Sequence, residues 1–255
     1  MDLQKMLVYI PDEYTRKARL YPGLIVTLPL ILLAAALFPG GIPGGKVLLS
    51  LFMLCGGSML FAQVGRDLGK RKEPWLFDLW GGKPTTRMLR HRDASNTEQL
   101  SVRHKALAHL CTGVQIPTAE EERLDSIRAD KVYETCVAML IERTRDKEKF
   151  RLLFEENCNY GFRRNLWGMK PLGITACVLS LCVIVILGLS TSFAADRQVT
   201  ADLYVYGIMS AIMLLMWIRW ITPQWVRVPG DAYAERLLGT IEVLGGHTVH
   251  RDRIE

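Results

Sequence analysis

Cysteine is scarce and unpatterned in this chain. Its six cysteines (Cys55, Cys111, Cys136, Cys158, Cys177 and Cys182) form no Cys-x-x-Cys pair, which argues against a disulfide framework and a zinc ribbon. Catalytic signatures are missing as well: there is no Gly-x-Ser-x-Gly, no His-Glu-x-x-His and no paired-carboxylate constellation. His104 and His109 are five residues apart, a spacing that does not align two metal ligands on one helical face. His91-Arg92-Asp93 echoes a kinase catalytic loop, but no glycine-rich loop or Asp-Phe-Gly accompanies it. Neither an enzyme, a metal nor a cofactor is therefore expected. A cleaved secretory signal is not expected either, because 21 mixed residues precede the first apolar run.

The most informative absence is that of charge. Residues 22–38, 47–64, 171–195 and 203–218 contain no Asp, Glu, Lys or Arg. A hydrocarbon core about 30 Å thick takes roughly 20 apolar residues at about 1.5 Å each. Residues 171–195 meet that length alone, and the other three runs meet it with flanking residues. Buried helices of a soluble domain would keep a polar face, and these runs show almost none. The short links 39–45 and 196–202 pair the runs into two hairpins.

The two links carry one basic residue each, Lys46 beside the first and Arg197 in the second, whereas residues 65–170 carry 21 of the 32 lysines and arginines. The positive-inside bias then places both termini and the middle segment on the cytoplasmic side of the membrane. The expected fold is an all-α integral membrane protein, with two transmembrane helical hairpins (four spans) flanking a small cytoplasmic helical domain. Its parts are a cytoplasmic N-terminal segment (1–21), a first hairpin (22–64), a basic helical domain (65–170), a second hairpin (171–218) and a cytoplasmic tail (219–255).

Within the middle segment, Ser95 with Glu98 and Thr118 with Glu121 read as capping boxes, and Asp146 as the cap of a third helix. Residues 66–92 hold eight lysines and arginines against three acidic residues, with Trp75, Phe77 and Trp80 interleaved. Positive residues beside a membrane helix satisfy the orientation bias and contact anionic lipid, which accounts for Arg66, Lys70, Arg71 and Lys72. Lys83, Arg87, Arg90 and Arg92 lie further on, and Arg87 and Arg90 have the i, i+3 spacing of one helical face. Phosphates suit these cations, and Trp75 and Trp80 suit base stacking. Trp80-Gly-Gly-Lys-Pro lacks the leading glycine and the hydroxyl residue of a nucleotide-hydrolysing loop. It reads as a turn whose Gly81 and Gly82 N–H groups and Lys83 can still meet a phosphate. Arg219, beside Trp217 and Trp220 at the inner end of the fourth run, reads either as an interfacial anchor or, with Arg163 and Arg164, as a cation of an anion-attracting ring at the inner mouth of an oligomeric pore. The tail is legible only as a short helix near residues 232–244.

The sequence GRDLGKRKEPWLFDLWGGKPTTRMLRHRD after the first hairpin and YGFRRNLWGMKP before the second, on a four-span plan, resemble bacterial membrane proteins of anti-phage defence loci that encode nucleotidyltransferase-like enzymes. The family most similar is the membrane effector of the Hailong system. That resemblance implies a homo-oligomeric, tetrameric, anion-conducting channel. It further implies that short single-stranded DNA or a nucleotide made by the partner enzyme holds the channel closed, and that loss of the ligand opens it. The alternative reading is a membrane scaffold whose basic face binds anionic lipid or a partner protein.

Overall fold

A computed structural model describes residues 12–38, 44–45, 57–191 and 197–251. Every regular element among them is helical: a π-helical segment Thr15–Leu20, then α1 (Tyr21–Leu37), α2 (Gly57–Trp80), α3 (Pro84–Arg87), α4 (Thr97–Leu110), α5 (Ala119–Leu124), α6 (Ser126–Arg143), α7 (Arg151–Gly168), α8 (Lys170–Thr191), α9 (Arg197–Arg219) and α10 (Pro223–Arg251). Residues 39–43 of the first link, Lys46 and residues 47–56 of the second apolar run, with Cys55, lie outside the described residues, as do residues 192–196.

Two helices are long and apolar enough to cross a membrane, Thr15–Ala35 and Lys170–Leu189. Leu203–Arg219 and Pro223–Ile241 reach that standard only as a pair bent by 64° at their break. The described residues thus hold two helices that could cross a membrane, or three if the bent pair is one span, and most of the second expected span (47–56 of 47–64) lies outside them. The first, Thr15–Ala35, departs from a plain helix in two places: its opening turn is π-helical, and Pro29 interrupts the backbone ladder in its interior.

The chain divides into two compact units, Met1–Glu73 with Cys158–Val226 and Pro74–Asn157 with Arg227–Glu255. In the first, α1, α8 and α9 pack against one another. Val26, Leu166, Met169, Cys177, Trp217 and Ile221 form its core. Its outer faces carry exposed Leu30, Ile31, Val185, Ile186, Ile208 and Ile212, an apolar surface of the kind that lipid covers. Small residues let its helices approach closely: a Cβ at Gly168 would lie 2.6 Å from Gly69 Cα, and the Trp217 ring lies directly over Gly173.

The first unit also contains a buried polar chain. Glu73 Oε1 accepts from Tyr160 OH at 2.7 Å and from Arg164 Nη1 at 2.8 Å. Arg164 Nε and Nη2 donate to Asn165 Oδ1, and Asn165 Nδ2 donates to the Ala18 carbonyl at 2.7 Å. Burial opposes the charge on Arg164, but Glu73 outweighs it and raises the guanidinium above its usual value.

In the second unit, Leu89, Leu107, Tyr133, Cys136, Leu140 and Leu153 form the core together with Leu237, Leu238 and Ile241 of α10. The tail therefore completes the polar unit, which the sequence did not disclose. Conversely, residues 65–73 and 158–170 belong with the apolar helices. Thr118 and Glu121 form the expected capping box, whereas the cap of α4 is Asn96, which accepts from Gln99 N–H at 3.0 Å, and not Ser95. Asp146 accepts from the Glu148 and Lys149 N–H groups in the turn before α7.

Candidate anion-binding site

The cations expected to form one basic face fall into different surroundings. Lys70 and Arg71 are exposed on α2 and have no partner among the described residues. Lys72 is half-buried, with its ammonium 5.3 Å from the centre of the Trp167 ring, and burial lowers its pKa. These three belong to the first unit. Trp75, Trp80, Lys83, Arg87, Arg90 and Arg92 belong to the second.

In the second unit the chain turns at Trp80-Gly-Gly. Gly81 N–H donates to Asp78 O at 3.2 Å and Gly82 N–H to Phe77 O at 2.7 Å, so both close the end of α2. Gly81 has φ 78° and Gly82 φ 128°, conformations that glycine tolerates best. The two N–H groups are consequently unavailable to a phosphate. Lys83, the third member of that expected cradle, pairs with Glu134 at 2.9 Å.

Arg90 is turned inward. Its Nε and Nη2 grip Asp130 at 2.8 and 2.7 Å, and its Nη1 reaches Gly81 O at 2.6 Å and Asp93 at 3.1 Å. Burial opposes its charge, but the bonds to Asp130 and Asp93 outweigh that effect and raise its pKa. Arg92 binds Glu122 at 3.0 Å and both oxygens of Asp130 at 3.0 Å. Arg87 is half-buried, with no side-chain partner among the described residues. The expected shared face of Arg87 and Arg90 is therefore not formed, because α3 ends at Arg87 and Arg90 follows a turn.

Glu122 is the hub of this arrangement and is only 2% exposed. It accepts from His91 N–H, Tyr133 OH and the N–H and guanidinium of Arg92. Burial opposes its ionisation, but these donors together hold the carboxyl below its usual range. Burial raises the Tyr133 phenol, and the bond to Glu122 adds to it. His104 stacks on Tyr133, lies 4.7 Å from His91 between ring centres, and its Nε2 is 2.8 Å from Leu89 O. Burial lowers its pKa. Sequence spacing did not reveal Glu122, Asp130 or Glu134 as partners, since the Arg90, Arg92 and Lys83 pairs join residues 30 to 51 positions apart.

Trp75 is 52% exposed, while Trp80 is buried with its ring edge-on to Phe77. Trp80 is thus no stacking platform in this arrangement. Of the three candidates for an anion ring, Arg219 is exposed. Arg163 lies over the Trp225 ring and donates to Trp225 O, and Arg164 is buried against Glu73. Among the described residues no group of three or more His, Cys, Asp and Glu side chains is placed to hold a metal. No protein-family model, curated protein or solved structure matches the chain.

Proposed function

We propose that the chain is a ligand-gated membrane effector, acting as an anion channel of several copies in anti-phage defence. Its gate would be controlled by a short single-stranded DNA or a nucleotide at Lys70 and Arg71. The observation that supports this reading is the state of α2. Leu60 and Val64 are exposed near its start, and exposed, unpartnered Lys70 and Arg71 follow on the same helix. An apolar surface followed by free cations couples a lipid-facing element to a group that binds phosphate. The tetrameric assembly, the nucleotidyltransferase-like partner and closure by the ligand come from the resemblance to Hailong effectors. Arg219 is then the exposed cation for the inner mouth.

A specific observation favours the second reading, a membrane scaffold that binds anionic lipid. Lys83, Arg90 and Arg92 are occupied by their own carboxylates, and Lys70 and Arg71 adjoin an apolar run, where lipid headgroups satisfy them. Titrating the full chain in neutral detergent with labelled single-stranded DNA at two salt concentrations separates the two. The channel reading expects binding that weakens steeply with salt and falls by about tenfold or more in Lys70→Glu/Arg71→Glu. Absence of binding at low salt overturns it in favour of the scaffold. Anion flux from liposomes, measured with and without DNA, then tests the gate.

A further inference from the structure

A second group of cations lies outside the basic block, in the polar unit. Residues 143–151 carry Arg143, Arg145, Lys147, Lys149 and Arg151 against Asp146 and Glu148. Beside α10 this segment forms a cavity of about 390 Å³. That size falls within the range of small-molecule sites, roughly 300–1,000 Å³.

The cavity is an open groove with mostly apolar walls flanked by charged side chains. Phe150 and Leu153 line it from one side, and Leu152 and Val243 remain 63% and 51% exposed at its walls. Lys149, Arg236 and Glu235 stand exposed at the opening. Arg151 also lines it but is held by Glu155 at 2.5 Å. Arg236 has no partner among the described residues, and Lys149 Nζ rests 5.5 Å from the Phe150 ring centre. Two available cations against one carboxylate leave a net positive edge.

Gly239 adds an independent observation. A glycine inside a helix is less favourable than alanine by about 1 kcal/mol. A Cβ at Gly239 would meet nothing within 4 Å, so close packing does not require glycine there. What the missing side chain preserves is the open volume of the cavity.

We propose that this cavity binds an anionic lipid, with the acyl chain along Phe150, Leu152, Leu153 and Val243 and the phosphate between Lys149 and Arg236. A nucleotide fits the lining less well. The Thr240 hydroxyl is already donated to Leu237 O at 2.7 Å. Few groups remain to read a base edge, whereas branched aliphatic side chains suit a hydrocarbon. The site is independent of the gating ligand at Lys70 and Arg71.

The test is titration of the full chain, in a neutral maltoside detergent, with dihexanoyl-phosphatidylglycerol, read by native mass spectrometry. The expected result is saturable retention of one lipid per chain. Dihexanoyl-phosphatidylcholine, which carries no net charge, and glycerol 3-phosphate, which has no chain, should bind at least about tenfold more weakly. Gly239→Leu, which fills the cavity, and Arg236→Glu should each weaken retention by a similar factor, while Gly239→Leu unfolds at or above the wild-type temperature. Undiminished retention by Gly239→Leu, or equal retention of phosphatidylcholine, overturns the proposal. Equal binding of glycerol 3-phosphate or of a nucleoside monophosphate overturns it in favour of a simple anion or nucleotide site. DNA binding unchanged in Gly239→Leu keeps this result separate from the proposed gating site.

Discussion

Glu122 shows how a charge run can serve the interior rather than a surface. Glu120, Glu121 and Glu122 all sit in the first turn of α5, where the helix dipole favours acids, yet only Glu122 is turned inward to collect donors from two segments, His91-Arg92 and Tyr133 of α6. Glu122→Ala leaves the buried Tyr133 hydroxyl and the His91 N–H without this acceptor, while the exposed Arg92 keeps Asp130, and a buried donor left unsatisfied costs about 1–3 kcal/mol. Urea unfolding followed by tryptophan fluorescence should show that loss for the polar unit. The same residues set its pH response. His104 lies below its ordinary value of 6.5 and Glu122 below 4.5, so the unfolded chain takes up protons first as the pH falls. Stability is therefore complete above about pH 6.5 and declines on acidification, first through His104 and then through Glu122. An unfolding temperature that rises between about pH 7 and pH 5 contradicts this assignment.

At the scale of elements, close helix approach and helix ends explain several of the glycines among the described residues. Gly168 on α7 abuts the backbone of Gly69 on α2, so neither helix accepts a side chain there without moving. Gly168→Ala should cost about 1–3 kcal/mol, as overpacking does. Gly239→Ala, with open space around it, should gain up to about 1 kcal/mol. Thermal unfolding of the two variants in detergent checks both signs. Local signals located some of these features correctly: Thr118 and Glu121 cap α5 as their spacing requires. The cap of α4 was misplaced by one residue because Ser95 and Asn96 are both competent caps, and only the backbone path selects Asn96. Arg87 and Arg90 have helical spacing, but the helix starting at Pro84 stops between them.

Across the whole molecule, the last helix has a role that its own sequence conceals. α10 carries few uninterrupted apolar residues, yet Leu237, Leu238 and Ile241 are fully buried in the polar unit. Truncation after Val226 should therefore unfold the second unit while α1, α8 and α9 retain their packing. Limited proteolysis of the truncated chain in detergent should cut rapidly within residues 74–157 and spare the apolar helices. Equal resistance of that segment in the full and truncated chains would show that α10 is dispensable.

Helical character and the presence of membrane-length apolar helices were determined by the sequence itself. Both depend on local properties, namely residue spacing, caps and the absence of charge over about 20 residues. Which basic residues remain without a carboxylate partner was decided only by tertiary structure. Lys70, Arg71, Arg90 and Arg92 look alike along the chain, but Arg90 and Arg92 meet Asp130 and Glu122 across 30 to 40 residues, and Lys70 and Arg71 meet no carboxylate among the described residues. A charge becomes structural or available according to what the fold brings within a few ångströms of it, and that distance is absent from linear spacing.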